Sequence, residues 1–172
     1  SMSSDSIPHV VVPGTFDPVT YGHIDVIRRA RRLFPEVTVA VAASVAKRGC
    51  GPTFSLEERV QMISEALELE GITDGVSVES FSGLLVSFCR DCGAGGVVKG
   101  LRAMTDFEYE LQQADLNSHM APDIESVFVM SSPEYGYVSS SIVREIASLG
   151  ESVELLVPTN VQEHLKAHYS NR

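Results

Sequence analysis

The sequence predicts an α/β fold: a single doubly wound, Rossmann-like domain with a five-stranded parallel sheet and helices on both faces. Short runs of β-branched residues alternate along the chain with longer segments in which apolar residues recur every three or four positions. Strands joined through helices form parallel sheets, because a right-handed crossover packs each helix onto a sheet face. The length of 172 residues fits one such domain.

The first half of the chain contains three predicted strands, at residues 9–12, 37–42 and 76–79, the first ended by Pro13-Gly14. Their Val-rich runs have little polar alternation, as expected where both sheet faces are covered. Between them, a helix begins near Gly22 and has the apolar stripe Ile24, Ile27, Ala30 and Phe34. Ser55 and Glu58 form a capping box that starts a second helix, whose expected core stripe is Leu56, Val60, Ile63 and Leu67.

The second half begins with a short predicted helix at residues 84–90 and continues with strands at residues 96–99 and 125–130. A capping box of Thr105 and Glu108 predicts a helix through about His119, with Phe107, Leu111 and Ala114 on one side. Two more helices are predicted at residues 140–149 and 161–168. Residues 1–8 are expected to be a disordered tail that carries a cloning scar at Ser1, and residues 9–172 to form the domain.

Composition excludes several classes of function. Thirteen Lys and Arg against 23 Asp and Glu give a net charge of -10, so we expect no nucleic-acid partner, since such binding needs clustered positive charge. Three cysteines argue against a secreted disulfide framework, and Cys89-x2-Cys92 has no second ligand pair for zinc. No apolar run reaches the ~18 residues of a membrane helix, so we expect a cytoplasmic protein with no membrane partner and no protein-bound metal.

Four segments at the carboxyl edge of the predicted sheet favour an anion. Ligands of doubly wound folds bind beyond the carboxyl ends of the strands. The first loop ends in Gly22-His23 at a helix N-terminus, where free N–H groups suit phosphate. An isolated His there would usually be a cap or exposed, but its place in a strand-loop-helix unit favours phosphate contact. Cations and hydroxyls complete the set: Lys47 and Arg48, Lys99 and Arg102, and Ser139 to Ser141.

Several motifs together resemble a known family. Gly14-Thr15-Phe16-Asp17-Pro18 with Thr20-x-Gly22-His23 is similar to the first signature of nucleotidyltransferases of the Thr/His-x-Gly-His type. Three further segments narrow the resemblance to the bacterial phosphopantetheine adenylyltransferases: residues 99–102, 106–110 and 138–141. The resemblance covers residues 9–168, so residues 9–172 are expected to be a nucleotidyltransferase domain.

The resemblance implies transfer of AMP from ATP to 4′-phosphopantetheine, giving dephospho-coenzyme A and pyrophosphate, the penultimate step of coenzyme A biosynthesis. The implied reaction is a direct in-line attack by the substrate's own phosphate, with no covalent enzyme intermediate. Members of the family work with Mg²⁺ on ATP and assemble as homohexamers, and coenzyme A is an expected feedback ligand.

The family's residue roles carry over by position. His23 would stabilise the transition state at the α-phosphate, Thr15 would lie between the reacting phosphates, and Lys47 would act in catalysis and bind the phosphate of pantetheine. Lys99 stands where many members have Arg. The implied ATP-binding residues are Thr15, Phe16, His23, Gly100, Leu101, Arg102, Glu110, Tyr135, Gly136, Tyr137, Val138, Ser139, Ser140 and Ser141. The implied phosphopantetheine-binding residues are Thr15, Lys47, Leu85, Lys99 and Asn117.

Two alternatives stay open. One alternative is another small adenylyltransferase, such as the nicotinamide mononucleotide type, which shares the first signature and a serine-rich last motif. The two motifs at residues 99–102 and 106–110 of this chain are not expected in such an enzyme. A non-catalytic nucleotide or coenzyme A sensor on the same fold would bind ATP without releasing pyrophosphate. The acceptor used in an assay separates the first alternative, and the absence of turnover separates the second.

Overall fold

Five parallel strands form the centre of the fold in the computed structural model of the chain, which describes residues 6–43, 51–102 and 104–170, with side chains of residues 104–106 excepted. In chain order the strands are β1 (His9–Gly14), β2 (Glu36–Ala42), β3 (Val76–Phe81), β4 (Gly96–Leu101) and β5 (Glu125–Met130). Their order across the sheet is β3-β2-β1-β4-β5, and every neighbouring pair is parallel. This is the predicted five-stranded parallel sheet.

Helices cover both faces of this sheet. They are α1 (Tyr21–Leu33), α2 (Leu56–Leu69), α3 (Leu85–Cys92), α4 (Met104–Met120), α5 (Ser140–Ser148) and α6 (Thr159–Ser170). A short 3₁₀ helix, Pro133–Tyr135, follows β5 and was not predicted from the sequence. Among the described residues, no helix combines the length and the apolar character needed to cross a membrane.

Alternate residues of β1 enter two separate hydrophobic cores, since successive side chains point to opposite sheet faces. Val10 and Val12 belong to the larger core, with buried residues of α1, α2 and α6. Val11 lies in the smaller core, with Val86 and Cys89 of α3. The nearly continuous Val runs that predicted buried strands therefore reflect helices packed on both sides.

Several boundaries differ from the prediction. β1 continues through Pro13 and Gly14, and Gly14 pairs with Val41. β4 continues to Leu101, which pairs with Met130, so Gly100 and Leu101 are strand residues. Both strands are longer than the Val runs because pairing with a parallel neighbour, and not side-chain type, fixes where a strand ends.

The beginning of the chain and two helix faces also differ. Ile7 packs against the larger core and the carbonyl of Pro8 accepts a hydrogen bond from Glu36, so these two residues are part of the domain and not of a disordered tail. The stripe predicted for α2 is only partly correct, because the fully buried residues of this helix are Arg59, Met62, Ile63, Ala66 and Leu67. On α4, Phe107 and Leu111 are exposed.

The order of the strands places a crevice between β1 and β4. β1 connects through α1 to β2 on one side, whereas β4 and β5 extend the sheet on the other. The connections therefore diverge at the carboxyl ends of β1 and β4, and this divergence leaves the space in which doubly wound folds bind ligands.

Candidate active site

A cavity of about 370 Å³ lies at the carboxyl ends of β1 and β4. Its walls come from these two strands, from the beginning of α1, and from the segment that leads into α5. The residues that line it are Val12, Pro13, Gly14, Phe16, Thr20, Gly22, His23, Val26, Val98, Lys99, Gly100, Arg102, Glu110, Ser131, Val138, Ser139 and Ser140. Three cationic or imidazole side chains therefore share one pocket with a helix N-terminus, a combination that suits phosphate.

His23 is held at the first turn of α1 by a capping box. The hydroxyl of Thr20 accepts a hydrogen bond from the backbone N–H of His23 at 3.3 Å, and Nδ1 of His23 accepts one from the backbone N–H of Thr20 at 3.0 Å. Because a backbone N–H can only donate, Nδ1 carries no proton in the neutral ring. The proton of the neutral imidazole is therefore on Nε2.

The surroundings of His23 favour the neutral ring. Burial in the cavity wall, with a smaller contribution from the positive charge of Arg102, lowers the pKa of His23 from 6.5 to about 4. The ring of Phe16 packs edge-on against the imidazole, with 4.9 Å between the ring centroids. At neutral pH the cavity thus contains an uncharged imidazole that is a hydrogen-bond donor at Nε2.

Two cationic side chains, at the end of β4 and just after it, line the cavity. Nζ of Lys99 donates to Oε2 of Glu110 at 2.8 Å, so the end of β4 is tied to α4 by an ion pair. Nη1 of Arg102 donates to the carbonyl of Val138 at 2.9 Å. The two cations keep their positions through contacts with separate elements, and both line the cavity.

Gly100 sets the spacing between β4 and α1. A Cβ atom at this position would lie 2.5 Å from Cγ2 of Val26 and 3.4 Å from the hydroxyl of Ser131. A distance under 3 Å is a collision, so a larger residue would require Val26 or its helix to shift. The close approach keeps α1, which carries His23, next to β4, which carries Lys99.

The chain is similar in sequence to known nucleotidyltransferases. Residues 11–146 match the family model described as cytidylyltransferase-like. A phosphopantetheine adenylyltransferase of Thioalkalivibrio sulfidiphilus is 51% identical over 157 residues, which are 91% of this chain and 95% of the relative. The enzyme of the same name from Geotalea daltonii is 46% identical over 93% of this chain and 96% of its own.

The chain belongs to the phosphopantetheine adenylyltransferase family.

The resemblance read from the sequence motifs is thereby confirmed, and the chain is a nucleotidyltransferase of this family. A solved structure of a bifunctional NMN adenylyltransferase/ADP ribose pyrophosphatase from Francisella tularensis, complexed with AMP and a Mn ion, matches with a TM-score of 0.69. The match covers 96% of this chain but 52% of the other, at 17% identity. At that identity the likeness concerns the fold alone.

Nine of the residues that the family resemblance selected line the cavity together: Phe16, His23, Lys99, Gly100, Arg102, Glu110, Val138, Ser139 and Ser140. Thr15 and Leu101 are sequence neighbours of lining residues but do not themselves line the cavity. Lys47, predicted as catalytic, and Arg48 lie outside the described residues.

The segment after β5 has a more structural role than expected. Tyr135 packs against Tyr21 of α1, with ring centroids 6.1 Å apart, and is not among the cavity residues, nor are Gly136, Tyr137 and Ser141. Ser139 caps α5 by accepting from Ile142 N–H, and the hydroxyl of Ser140 donates to the carbonyl of Pro18 at 2.8 Å.

Two residues selected for the pantetheine arm lie away from the cavity. Leu85 begins α3, packs against the smaller core and is not among the residues that line the cavity. Asn117 lines a small crevice next to the cavity, together with Lys99 and Glu110. The cavity and this crevice share the Lys99–Glu110 ion pair, which therefore stands between the two spaces.

Two polar residues of the cavity received no role from the sequence: Thr20 and Ser131. Thr20 could have been found, since it lies three residues before His23, the spacing of a capping box. The usual partner at that place is Glu or Gln, and His23 takes this place here. Ser131 follows β5 directly, and no spacing in the sequence distinguishes it.

Proposed function

We propose that this enzyme transfers AMP from ATP to 4′-phosphopantetheine and releases pyrophosphate. The observation that carries the proposal is the neutral His23, whose Nε2 proton lies in a cavity with Lys99 and Arg102. The names of the relatives support the acceptor. The nicotinamide mononucleotide alternative shares the first signature and the serine-rich last motif, but it is not favoured, since the structural likeness to such an enzyme is at 17% identity.

The proposed chemistry is a single displacement at the α-phosphorus of ATP. An oxygen of the phosphopantetheine phosphate forms a bond to this phosphorus, and the bond to the bridging oxygen of the β-phosphate breaks. The leaving pyrophosphate takes the electron pair. Because the attacking phosphate is already anionic near neutral pH, no base has to remove a proton, and alignment with charge stabilisation accounts for catalysis.

His23 is proposed to stabilise the transition state. An Nε2–H fixed in direction by the cap on Nδ1 can donate to a non-bridging oxygen of the α-phosphate as negative charge develops there. A neutral donor is suited to this role because it does not first form an ion pair with the substrate. Arg102 is proposed to face the phosphates of ATP, with Phe16, Gly100 and Glu110 along the nucleotide.

The acceptor is proposed to bind on the side of Lys99, with Lys47, Thr15, Leu85 and Asn117. Lys99 is already paired with Glu110, so an incoming phosphate would take over part of this ammonium group's interaction. Lys presents a point charge and not the two-pronged fork of Arg, so the phosphate is expected to be held by charge more than by direction.

Mg²⁺ is proposed to enter as part of the ATP complex. Glu110 is the only carboxylate among the described lining residues, and it is paired with Lys99. The described part of the chain contains no group of three or more His, Cys, Asp or Glu placed to hold a metal. The donor set therefore fits an ion carried by phosphate oxygens and water.

A homohexamer in the cytoplasm, with feedback by coenzyme A, is proposed on the family resemblance.

The test is pyrophosphate release from Mg·ATP with 4′-phosphopantetheine, run beside nicotinamide mononucleotide as acceptor. We expect turnover with phosphopantetheine alone. Turnover with the mononucleotide instead would preserve the nucleotidyltransferase chemistry and reject the acceptor. Absence of turnover with both, in folded protein that still binds ATP, would favour the sensor.

A further inference from the structure

Arg59 is a buried cation that the proposed reaction does not use. It lies on α2, four residues after the N-cap Ser55, and its exposed fraction is 0%. Its guanidinium donates three hydrogen bonds, all to backbone carbonyls: Nε to Phe54 at 3.1 Å, and Nη1 to Thr15 at 2.8 Å and Ala42 at 3.0 Å. Since a buried charge is costly unless it is well bonded, its place needs an explanation.

The three carbonyls belong to three different segments at the carboxyl edge of the sheet. Thr15 directly follows β1, Ala42 is the last residue of β2, and Phe54 directly precedes the N-cap of α2. One planar side chain therefore holds the ends of two strands and the start of a helix at fixed distances. Only Arg has several donors in a rigid plane, so a lysine of similar length cannot make the same set of bonds.

Asp17 completes the arrangement from the other side. Its buried carboxylate accepts from the backbone N–H of Thr53 at 2.8 Å and of Phe54 at 2.9 Å. Its own carbonyl accepts from Nη1 of Arg144 on α5 at 2.6 Å. The first loop is thus tied to the start of α2 by both its Thr15 carbonyl and its Asp17 carboxylate. Burial lowers the pKa of Arg59, and the negative charge of Asp17 opposes this change.

We propose that Arg59 is a positioning residue. It fixes Thr15 and Phe16 against the end of β2 and the start of α2, so that the two reacting phosphates meet in line. This inference rests on the proposed function. Phe16 lines the cavity and packs on His23, and Thr15 is the residue whose carbonyl Arg59 holds. A displacement of about 1 Å at reacting groups costs on the order of 10²-fold in rate, so loosening this loop should act on kcat.

The test compares Arg59→Lys with Arg31→Lys. Arg31 is a matched control, because it also donates to two backbone carbonyls, those of Asp74 and Phe34, but at the amino ends of β3 and β2. We expect R59K to lower kcat by about 10- to 100-fold while the KM values for ATP and phosphopantetheine change less than about threefold. We expect R31K to lower Tm without a change in kcat.

Amide hydrogen exchange without substrates gives a reading that is independent of the reaction. In R59K, amides of residues 14–20 and 51–56 should exchange faster than in wild type, whereas in R31K they should not. Wild-type kcat and wild-type exchange in folded R59K would overturn the inference, as would equal losses of kcat in both variants. If R59K does not fold, Asp17→Asn replaces it, with the same expected losses.

If the wild-type enzyme does not use phosphopantetheine, the proposed function fails, and the exchange measurement alone decides the role of Arg59. Faster exchange confined to R59K supports it as the residue that fixes the loop, and unchanged exchange rejects it.

Discussion

His23 uses its two ring nitrogens for different partners. Nδ1 accepts the backbone N–H of Thr20 and completes the cap of α1, which leaves the proton on Nε2 within the cavity. From the sequence, a cap and a phosphate contact were competing interpretations of this residue. The structure shows the cap, which fixes both the tautomer and the direction of the remaining donor, and the phosphate contact at Nε2 stays a prediction.

A first prediction concerns the protonation of His23. In an NMR titration of the free enzyme its imidazole should titrate near pH 4, since burial lowers its pKa from 6.5 to about 4. The unfolded chain then binds more protons than the folded chain between these values. The contribution of His23 to stability is therefore complete above pH 6.5 and is lost as the pH falls towards 4. A midpoint near 6.5 in the folded enzyme would contradict the buried, capped arrangement.

A second prediction concerns the activity of His23 variants. His23→Ala should lower kcat by about 10²–10³-fold with a modest change in ATP affinity, because a donor that acts on the transition state contributes to kcat. His9→Asn is a suitable control. His9 is also buried and makes a side-chain hydrogen bond, to Thr38 at 2.7 Å, but at the amino end of the sheet. Unchanged kcat in H23A would remove His23 from the mechanism.

At the scale of elements, α1 organises the segment that follows β5. The carboxylate of Asp25 accepts from both the backbone N–H and the hydroxyl of Ser132, each at 3.0 Å. Nη2 of Arg29 donates to the same hydroxyl at 2.7 Å. The helix that carries His23 therefore also fixes the start of the segment that contains the 3₁₀ helix and Ser139.

A third prediction follows from this contact. Ser132→Ala removes both hydrogen bonds of the hydroxyl, to Asp25 and from Arg29. It should raise the KM for ATP roughly fivefold, if about 1 kcal/mol of this loss acts on ATP binding, and should leave the KM for phosphopantetheine unchanged. Ser77→Ala is the control: its hydroxyl also bonds another side chain, Thr38 at 3.2 Å, but lies in the first half of β3. Equal effects on both KM values would show that the contact has no particular link to ATP.

The elements were largely predictable, and the contacts between them were not. Runs of Val are local signals that located all five strands, and the three- to four-residue spacing of apolar side chains is a local signal for helices. The burial of Arg59 could not be predicted, because a hydrophobic pattern excludes a charged residue from the core. Its carbonyl partner Thr15 is also 44 positions away along the chain. The bond of Asp25 to Ser132 spans 107 positions. Nothing in a single sequence indicates such pairs.

At the scale of the whole molecule, charge is unevenly distributed. The chain has a net charge of -10, yet its candidate site gathers Lys99 and Arg102 beside a helix N-terminus. The net charge argues against nucleic acid as a partner, but it does not indicate an anion site. The position of cations at strand ends predicts such a site, since parallel strands bring their carboxyl ends to one edge of the sheet.

A fourth prediction concerns assembly. α4 exposes several large apolar side chains: Phe107, Tyr109, Leu111, Leu116 and Met120. At 3.6 residues per turn, Phe107 and Leu111 lie on one side of this helix and the other three residues on the opposite side. If the proposed homohexamer buries the Leu111 side, Leu111→Glu should lower the mass measured by light scattering. Leu155→Glu, in a residue that is 76% exposed but lies outside α4, is the control and should keep the wild-type mass. An unchanged mass for L111E would place the interface elsewhere.

The missing side chain of Gly100 has a mechanical consequence. With Val26 seated where its Cβ would be, α1 packs directly against the backbone of β4. Across the crevice, α1 and β4 are therefore in direct contact, and we expect side chains such as Lys99 to accommodate the ligands. On the proposed function, substrate entry would exchange the carboxylate of Glu110 for a phosphate at Lys99 while the spacing of α1 and β4 is kept.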